Sequence, residues 1–280
     1  MMRWGIGLVV LAVGAGCATT TSSPPVVSAP TVSPASTPKV TPTATRTVPQ
    51  SPAVNKLYAA GRVGVARCVL PESARDKDEL QAYARGMVAC MNRAWDPVMK
   101  RAKARFWPVT SVYAYDLRKP TAECGLPAAN MAAFYRDGLI CFEWKKFADG
   151  EPMRDLVDLE QLIAHEYGHH VQNLAGILQA NRARKAPSKA VELENERRKE
   201  LQASCLGAAF LGANRVAFKL TGRRLATWKS IVRHVGDENN TLKIRDHGSY
   251  KSHAYWTIPA FAAASPGACN TFTAAPKRVS

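Results

Sequence analysis

The chain has 280 residues, 38 Lys and Arg against 22 Asp and Glu (net +16), 46% apolar and 21% charged residues, and seven cysteines. That balance excludes a wholly disordered or collagen-like protein and leaves room for one ordinary globular domain with additional segments. No Asp or Glu precedes Glu72, so the first quarter of the chain is read apart from the rest.

Arg3 precedes an apolar run from Trp4 to Val13, followed by Gly14, Ala15, Gly16 and Cys17. The run is too short to cross a hydrocarbon core of about 30 Å, which takes about 20 residues as a helix, and it fits the apolar region of a secretory signal. The small residues before Cys17 resemble a bacterial lipobox, although Gly14 stands where Leu or Val is usual. Residues 1–17 are therefore expected to be a signal peptide cut before a lipid-modified Cys17. Ordinary cleavage in the same region would instead release a secreted protein. Of the 36 residues in 18–53, 23 are Pro, Ser or Thr and none is acidic. Too little apolar surface is present to offset the entropy of ordering, so this segment is expected to be a disordered linker. Its reach would be about 35 Å as a coil and about 110 Å fully extended. Together the two segments predict export, with the domain tethered to the extracytoplasmic face of the membrane.

Residues 54–280 carry the pattern of one folded domain. Asp76 to Trp95 reads as an amphipathic helix, with Leu80, Tyr83, Met87, Met91 and Trp95 at three- and four-residue steps. Pro97 is expected to end or kink it, with a short basic helix to follow. Val109 to Tyr115 alternates like a strand, and Ala133 to Trp144 reads as a hairpin turning at Asp137-Gly138. Two helices come next, from about Leu156 to Leu174 and from about Ala190 to Val216. Further helical stretches lie near Leu225 to Val235 and His253 to Ala264. The order predicts an α+β fold, a small antiparallel sheet ahead of a helical half.

Six cysteines remain: Cys68, Cys90, Cys124, Cys141, Cys205 and Cys269. An even set in an exported chain reads as disulfides, of which six cysteines allow 15 pairings. The reading adopted pairs Cys68 with Cys90, Cys124 with Cys141, and Cys205 with Cys269. The first two would close short loops, each worth about 3 kcal/mol. No pair has CxxC spacing, which argues against a zinc ribbon or a thioredoxin-like site. Residues 54–280 hold 35 basic and 22 acidic groups, with clusters at Lys100, Arg101, Lys103 and Arg105 and at Arg197, Arg198 and Lys199. No nucleic-acid motif accompanies them, so they read as solvated helix faces and nucleic acid is not an expected partner.

The most informative stretch is Ala164 to Asn173, A-H-E-Y-G-H-H-V-Q-N. On a helix, His165 and His169 lie about 40° apart around the axis and can grip one cation from one face. The adjacent Glu166 is placed to take a proton from a water on that cation, the arrangement of zinc hydrolysis. Leu159, Leu162 and Ile163 supply a preceding apolar face. A third ligand is expected from the later helix, where Glu192, Glu196 and Glu200 recur at four-residue spacing before Ser204, Ala208 and Leu211. Glu200 is nearest the apolar end and is the best candidate, with Glu196 in reserve. His170 points about 100° away from His169 and is expected to pack or to hydrogen-bond behind the ligands. Gly168 suits a close approach of backbone or substrate.

The segments His165-Glu166-Tyr167-Gly168-His169-His170-Val171-Gln172, Glu200-Leu201-Gln202-Ala203-Ser204-Cys205, His247-Gly248-Ser249 and Ala268-Cys269-Asn270-Thr271-Phe272 resemble the bacterial neutral zinc metallopeptidases. The likeness covers roughly residues 107–275. It implies a zincin-like fold and one Zn2+ on His165, His169 and Glu200, with Glu166 as general base and acid and a peptide or protein as substrate. The chain departs from the pattern twice. Ser204 stands where Asp is expected and would orient a zinc histidine without bringing a charge. Tyr250-Lys251-Ser252-His253 stands where Ser-Glu-Gln-Arg is expected. His247, Tyr250 and His253 are the candidates to contact the oxyanion or the substrate. The hairpin edge at residues 131–135 is a candidate to pair with an extended peptide. The alternative reading is an envelope lipoprotein that keeps the fold and binds without hydrolysing. Ser204 and the altered 250–253 segment support it; the intact His165, Glu166, His169 and Glu200 oppose it.

Overall fold

The computed structural model describes residues 51–71, 74, 76–119, 121–125, 131–147 and 156–280. The expected signal peptide, Cys17 and residues 18–50 of the expected linker lie outside the described residues. Residues 51–53, read above as the end of the linker, are already packed: Pro52 is buried, its carbonyl accepts the Tyr58 hydroxyl, and Ala53 lies against the core.

Helix α1 (Lys77–Arg101) begins where the Asp76 carboxylate accepts the backbone N–H groups of Asp78 and Glu79. It continues through Pro97 to Arg101, so Pro97 does not end it, and the residues expected to form a separate basic helix include its last turn. The physical reason is burial. Losing one backbone bond costs about 3 kcal/mol, whereas Val98 and Met99 are fully buried by continuing the helix, at about 1.5–3 kcal/mol each.

Strands β1 (Ser111–Tyr115), β2 (Ala133–Arg136) and β3 (Leu139–Glu143) form one sheet in the order β1-β3-β2. The hairpin turns at Asp137 and Gly138 as expected, both at positive φ, 41° and 89°. The sheet is mixed, however, not antiparallel. β2 pairs antiparallel with β3, Tyr135 opposite Ile140, whereas β1 pairs parallel with β3, Val112 opposite Ile140. The connection between the parallel strands β1 and β3 is residues 116–138, which include β2 itself and exceed the roughly dozen residues that a parallel pair needs. Ile140, Cys141, Phe142 and Glu143 are all buried, so β3 takes the centre.

The helical half comprises α2 (Val157–Leu174), α3 (Ile177–Arg182), α4 (Lys189–Ala213), α5 (Gly222–Val232) and α6 (Tyr250–Ala263). Gly176, at φ 75°, separates α2 from the short α3, which the sequence reading did not include. Helices α2 and α4 pack antiparallel with their backbones almost touching. A Cβ on Gly168 would lie 2.2 Å from the Ala203 carbonyl oxygen, and one on Gly207 would lie 2.6 Å from the Ala164 carbonyl. The three disulfides are Cys68–Cys90, Cys124–Cys141 and Cys205–Cys269, as read from the sequence. Among the described residues no helix is long and apolar enough to cross a membrane.

Candidate metal centre

The close approach of α2 and α4 brings the expected ligands together. His165 Nε2 and His169 Nε2 lie 3.2 and 3.1 Å from the same oxygen, Glu200 Oε2, and all three side chains are largely buried. Glu166 is buried within the same cluster as the two histidines.

Each donor is held from behind. His165 Nδ1 lies 2.8 Å from Ser204 Oγ. His169 Nδ1 donates to Gln172 Oε1 at 2.9 Å. With the rear nitrogens committed, the forward Nε2 atoms keep their lone pairs for a ligand. Gln172 Nε2 in turn donates to the Lys199 carbonyl and to Gln202 Oε1, so the ligand on α2 is bolted to α4. Gln202 Nε2 continues the chain to the Tyr58 hydroxyl and the Cys269 carbonyl. On the third ligand, Lys199 Nζ sits 3.0 Å from Glu200 Oε1, leaving Oε2 to face the histidines.

The electrostatics favour a cation. Burial would raise the Glu200 carboxyl, but His169, His165 and Lys199 hold it well below the usual carboxylate range. Burial would likewise lower His169, and Glu200 outweighs it, pushing that ring up to about 9. Glu166 is pushed up by burial, with partial relief from His165 and His169. A raised carboxyl beside the ligands suits a group that must both take and give a proton near neutral pH.

A family model described as "Putative neutral zinc metallopeptidase" matches residues 62–272. The chain belongs to this family. The match starts well before residue 107, so α1 belongs to the family's domain too. The protein YpfJ of Escherichia coli strain K12, itself named as uncharacterized, is 28% identical over 168 residues, covering 53% of this chain and 57% of its own length. YpfJ of E. coli O6:H1 strain CFT073 matches equally. The chain thus spans little more than half the length of these relatives. No solved structure matches.

The family implies zinc, and the residues present fit it. Two imidazole nitrogens and one carboxylate oxygen, each fixed by a rear hydrogen bond or ion pair, are a donor set that zinc takes.

The remaining candidates differ in their surroundings. His247 Nε2 lies 3.8 Å from Glu200 Oε2, with half its side chain exposed and its Nδ1 2.6 Å from Asp246 Oδ1. Tyr250 turns its hydroxyl to Asn239 Oδ1. His253 is buried on α6 and depressed to about 3, by burial first and then by His165 and His247. His170 does not touch the ligands. It joins α2 to the sheet side through Tyr135 Oη at 3.0 Å and the Trp107 carbonyl at 2.9 Å, ringed by Phe106, Trp107, Tyr135 and Tyr167.

Two contributors are not singled out by the sequence pattern: Gln172 lies within the motif, and Lys199 falls in a basic cluster that reads as solvated. The cluster 197–199 is in fact a set of internal ties. Arg197 donates to the Val279 and Arg245 carbonyls, Arg198 is buried and donates to Thr271 and Ala274, and Lys199 pairs with Glu196 and Glu200. The available signal was Lys199 three residues after Glu196 and adjacent to the expected ligand.

Proposed function

We propose that the chain is a zinc-dependent peptidase, and the observation that carries this is the convergence of His165, His169 and Glu200 beside the buried Glu166. In this reading the first three hold the metal. Zinc, when bound there, supplies a Lewis acid that makes a water more acidic and polarises the scissile carbonyl. Glu166 accepts the proton of the attacking water and passes it to the leaving amine.

Of the three oxyanion candidates, the geometry favours His247. Its burial would lower its pKa, but Glu200, Asp246 and Asp237 outweigh that and favour the protonated ring. Asp246 takes one N–H, and the other, Nε2–H, lies beyond hydrogen-bond distance of Glu200 Oε2 at 3.8 Å and can donate to an oxygen that gains charge. The backbone N–H groups of His247 and Gly248 are fixed on the two oxygens of Asp237, which sets the ring's position. Strand β2 lies at the sheet edge, consistent with an extended peptide pairing there.

The non-hydrolysing alternative drew its support from Ser204, and that support weakens because Ser204 Oγ holds His165 Nδ1 where an orienting group is needed. Anchoring through a lipid on Cys17 remains part of this proposal. The three disulfides favour an oxidising compartment, and mass spectrometry of the mature N-terminus tests the lipid directly. For the activity, purified protein is incubated with denatured protein substrates, with and without chelator. Chelator-sensitive cleavage supports the peptidase. About one zinc per chain with no cleavage of any substrate favours the binding module.

A further inference from the structure

The residues that carry His247 have no regular structure of their own. Between the single 3-10 turn at Asp237–Asn239 and the start of α6, residues 240–249 form neither helix nor strand, and residues 241–245 are exposed. Two ties hold this loop around His247. On one side the N–H groups of His247 and Gly248 rest on Asp237. On the other, the Arg245 carbonyl accepts Nη1 of Arg197 at 2.7 Å, and Nε of the same guanidinium donates to the Val279 carbonyl at 2.7 Å. Arg197 lies on α4, three residues before Glu200. One side chain therefore links the ligand helix, the His247 loop and residues 276–280.

Residues 276–280 are themselves tightly packed. Val279 is fully buried. The Ser280 backbone oxygen accepts the Ser249 N–H at 2.8 Å and Ser252 Oγ at 2.9 Å, in the cap and first turn of α6 directly after His247-Gly248. The Arg278 carbonyl accepts Trp256 Nε1 at 2.8 Å, and the Arg278 guanidinium lies over the Tyr255 ring at 4.2 Å.

We propose that residues 276–280, acting through Arg197, are a clamp that positions His247, the oxyanion donor of the reading above. Such a donor has to be held to within about 0.5 Å, and a misplacement of about 1 Å costs about 100-fold in rate. An exposed irregular loop does not supply that rigidity by itself. A planar guanidinium with charge-assisted bonds to two carbonyls does, because it fixes Arg245 relative to α4 and hence His247 relative to Glu200. The inference rests on the peptidase reading, and Arg197 in it is a positioning residue with no contact to metal or substrate.

The test compares the full chain with R197M. R101M is the control, because Arg101 makes the same kind of tie, to the Ala60 and Arg62 carbonyls, elsewhere in the fold. Amide hydrogen exchange is followed in EDTA, zinc affinity by competition with a chromophoric chelator, and kcat and KM with a denatured protein substrate. R197M should speed exchange at residues 245–249 at least about tenfold and leave zinc affinity within about threefold of the parent, since it removes no bond behind the ligands. It should lower kcat about 10- to 100-fold with KM little changed, and R101M should do none of this. In H247A, adding R197M should cost no further kcat. Unchanged exchange at 245–249 overturns the clamp. Faster exchange with unchanged kcat, or a full additional loss in H247A/R197M, overturns its action through His247. A parent that cleaves nothing overturns the peptidase reading, and the exchange comparison then decides the clamp alone. If R197M does not fold, R197K, whose ammonium lacks the fork that spans both carbonyls, and V279A, which loosens the buried anchor, replace it in every comparison.

Discussion

Gly168→Ala places one methyl group between the two helices that carry the ligands. Its Cβ would stand 2.2 Å from the Ala203 carbonyl oxygen and 2.8 Å from the Ala203 Cα and carbonyl carbon. These are backbone atoms, which no rotamer change can move. Relief requires α2 and α4 to separate by about 1 Å, while a metal ligand tolerates about 0.2 Å. Alanine gains about 1 kcal/mol of helix propensity over glycine, and overpacking of this kind costs about 1–3 kcal/mol. Because the obstacle is backbone, the upper end applies and the net loss is about 2 kcal/mol, or about 4–8 °C in midpoint for a domain of this size. Zinc affinity should fall at least about tenfold, because Glu200 is carried away from His165 and His169. Gly86→Ala in α1 is the control, since there a Cβ meets the tip of the Leu70 side chain at 3.2 Å and the Val69 carbonyl oxygen at an ordinary contact distance of 3.6 Å, and it should be neutral or stabilising. Calorimetry with chelator competition measures both variants. A Gly168→Ala protein with unchanged midpoint and unchanged zinc affinity would refute the close packing of α2 on α4 and the account of the site built on it.

Glu166→Gln should retain about one zinc per chain and lose at least most of the cleavage, read by metal analysis beside a protein-substrate assay; undiminished cleavage would remove Glu166 from its assigned role. Glu200→Ala should lose or greatly weaken zinc while staying folded by circular dichroism. Gln172→Met strands the His169 Nδ1–H, the Lys199 carbonyl and Gln202 Oε1, so stability should fall by about 2–4 kcal/mol in urea titration, with zinc about 10-fold weaker. His170 and His253 are depressed by burial to about 4 and about 3, from 6.5. The unfolded chain therefore binds protons below pH 6.5 that the folded chain refuses, and stability falls as pH drops from there. Each ring contributes at most about 2 kcal/mol of loss at pH 5. NMR of the two imidazole rings checks this: either ring taking up a proton between pH 7 and pH 5 in the folded protein would show that it is not held neutral.

Periodicity and local chemistry carried much of this molecule. The Leu80 to Trp95 steps, the Asp137-Gly138 turn and the His165/His169 spacing are local signals, and each element formed where its own residues called for it. What local chemistry does not contain is the energy of distant neighbours. Pro97 was overruled by the burial of Val98 and Met99. The parallel pairing of β1 with β3 depends on how residues 116–138 travel, which no alternation pattern encodes. Lys199 and Gln172 acquire roles only once α2 and α4 lie side by side. Their importance became visible only with the packing, whereas Glu200 could be selected from the gradient of polarity along its own helix.

Gln202, in reaching both Tyr58 and the Cys269 carbonyl from the helix that carries Glu200, ties the readiness of the centre to the two extremities of the domain. Asn270 Nδ2 reaches back to the Ala53 carbonyl in the same region, a contact between residues 217 positions apart. Loops of that length close late and slowly. A chain emerging from a ribosome can form α2 with both histidines long before residues 265–272 arrive to brace α4. The centre would therefore be completed last, once both extremities of the domain are in place.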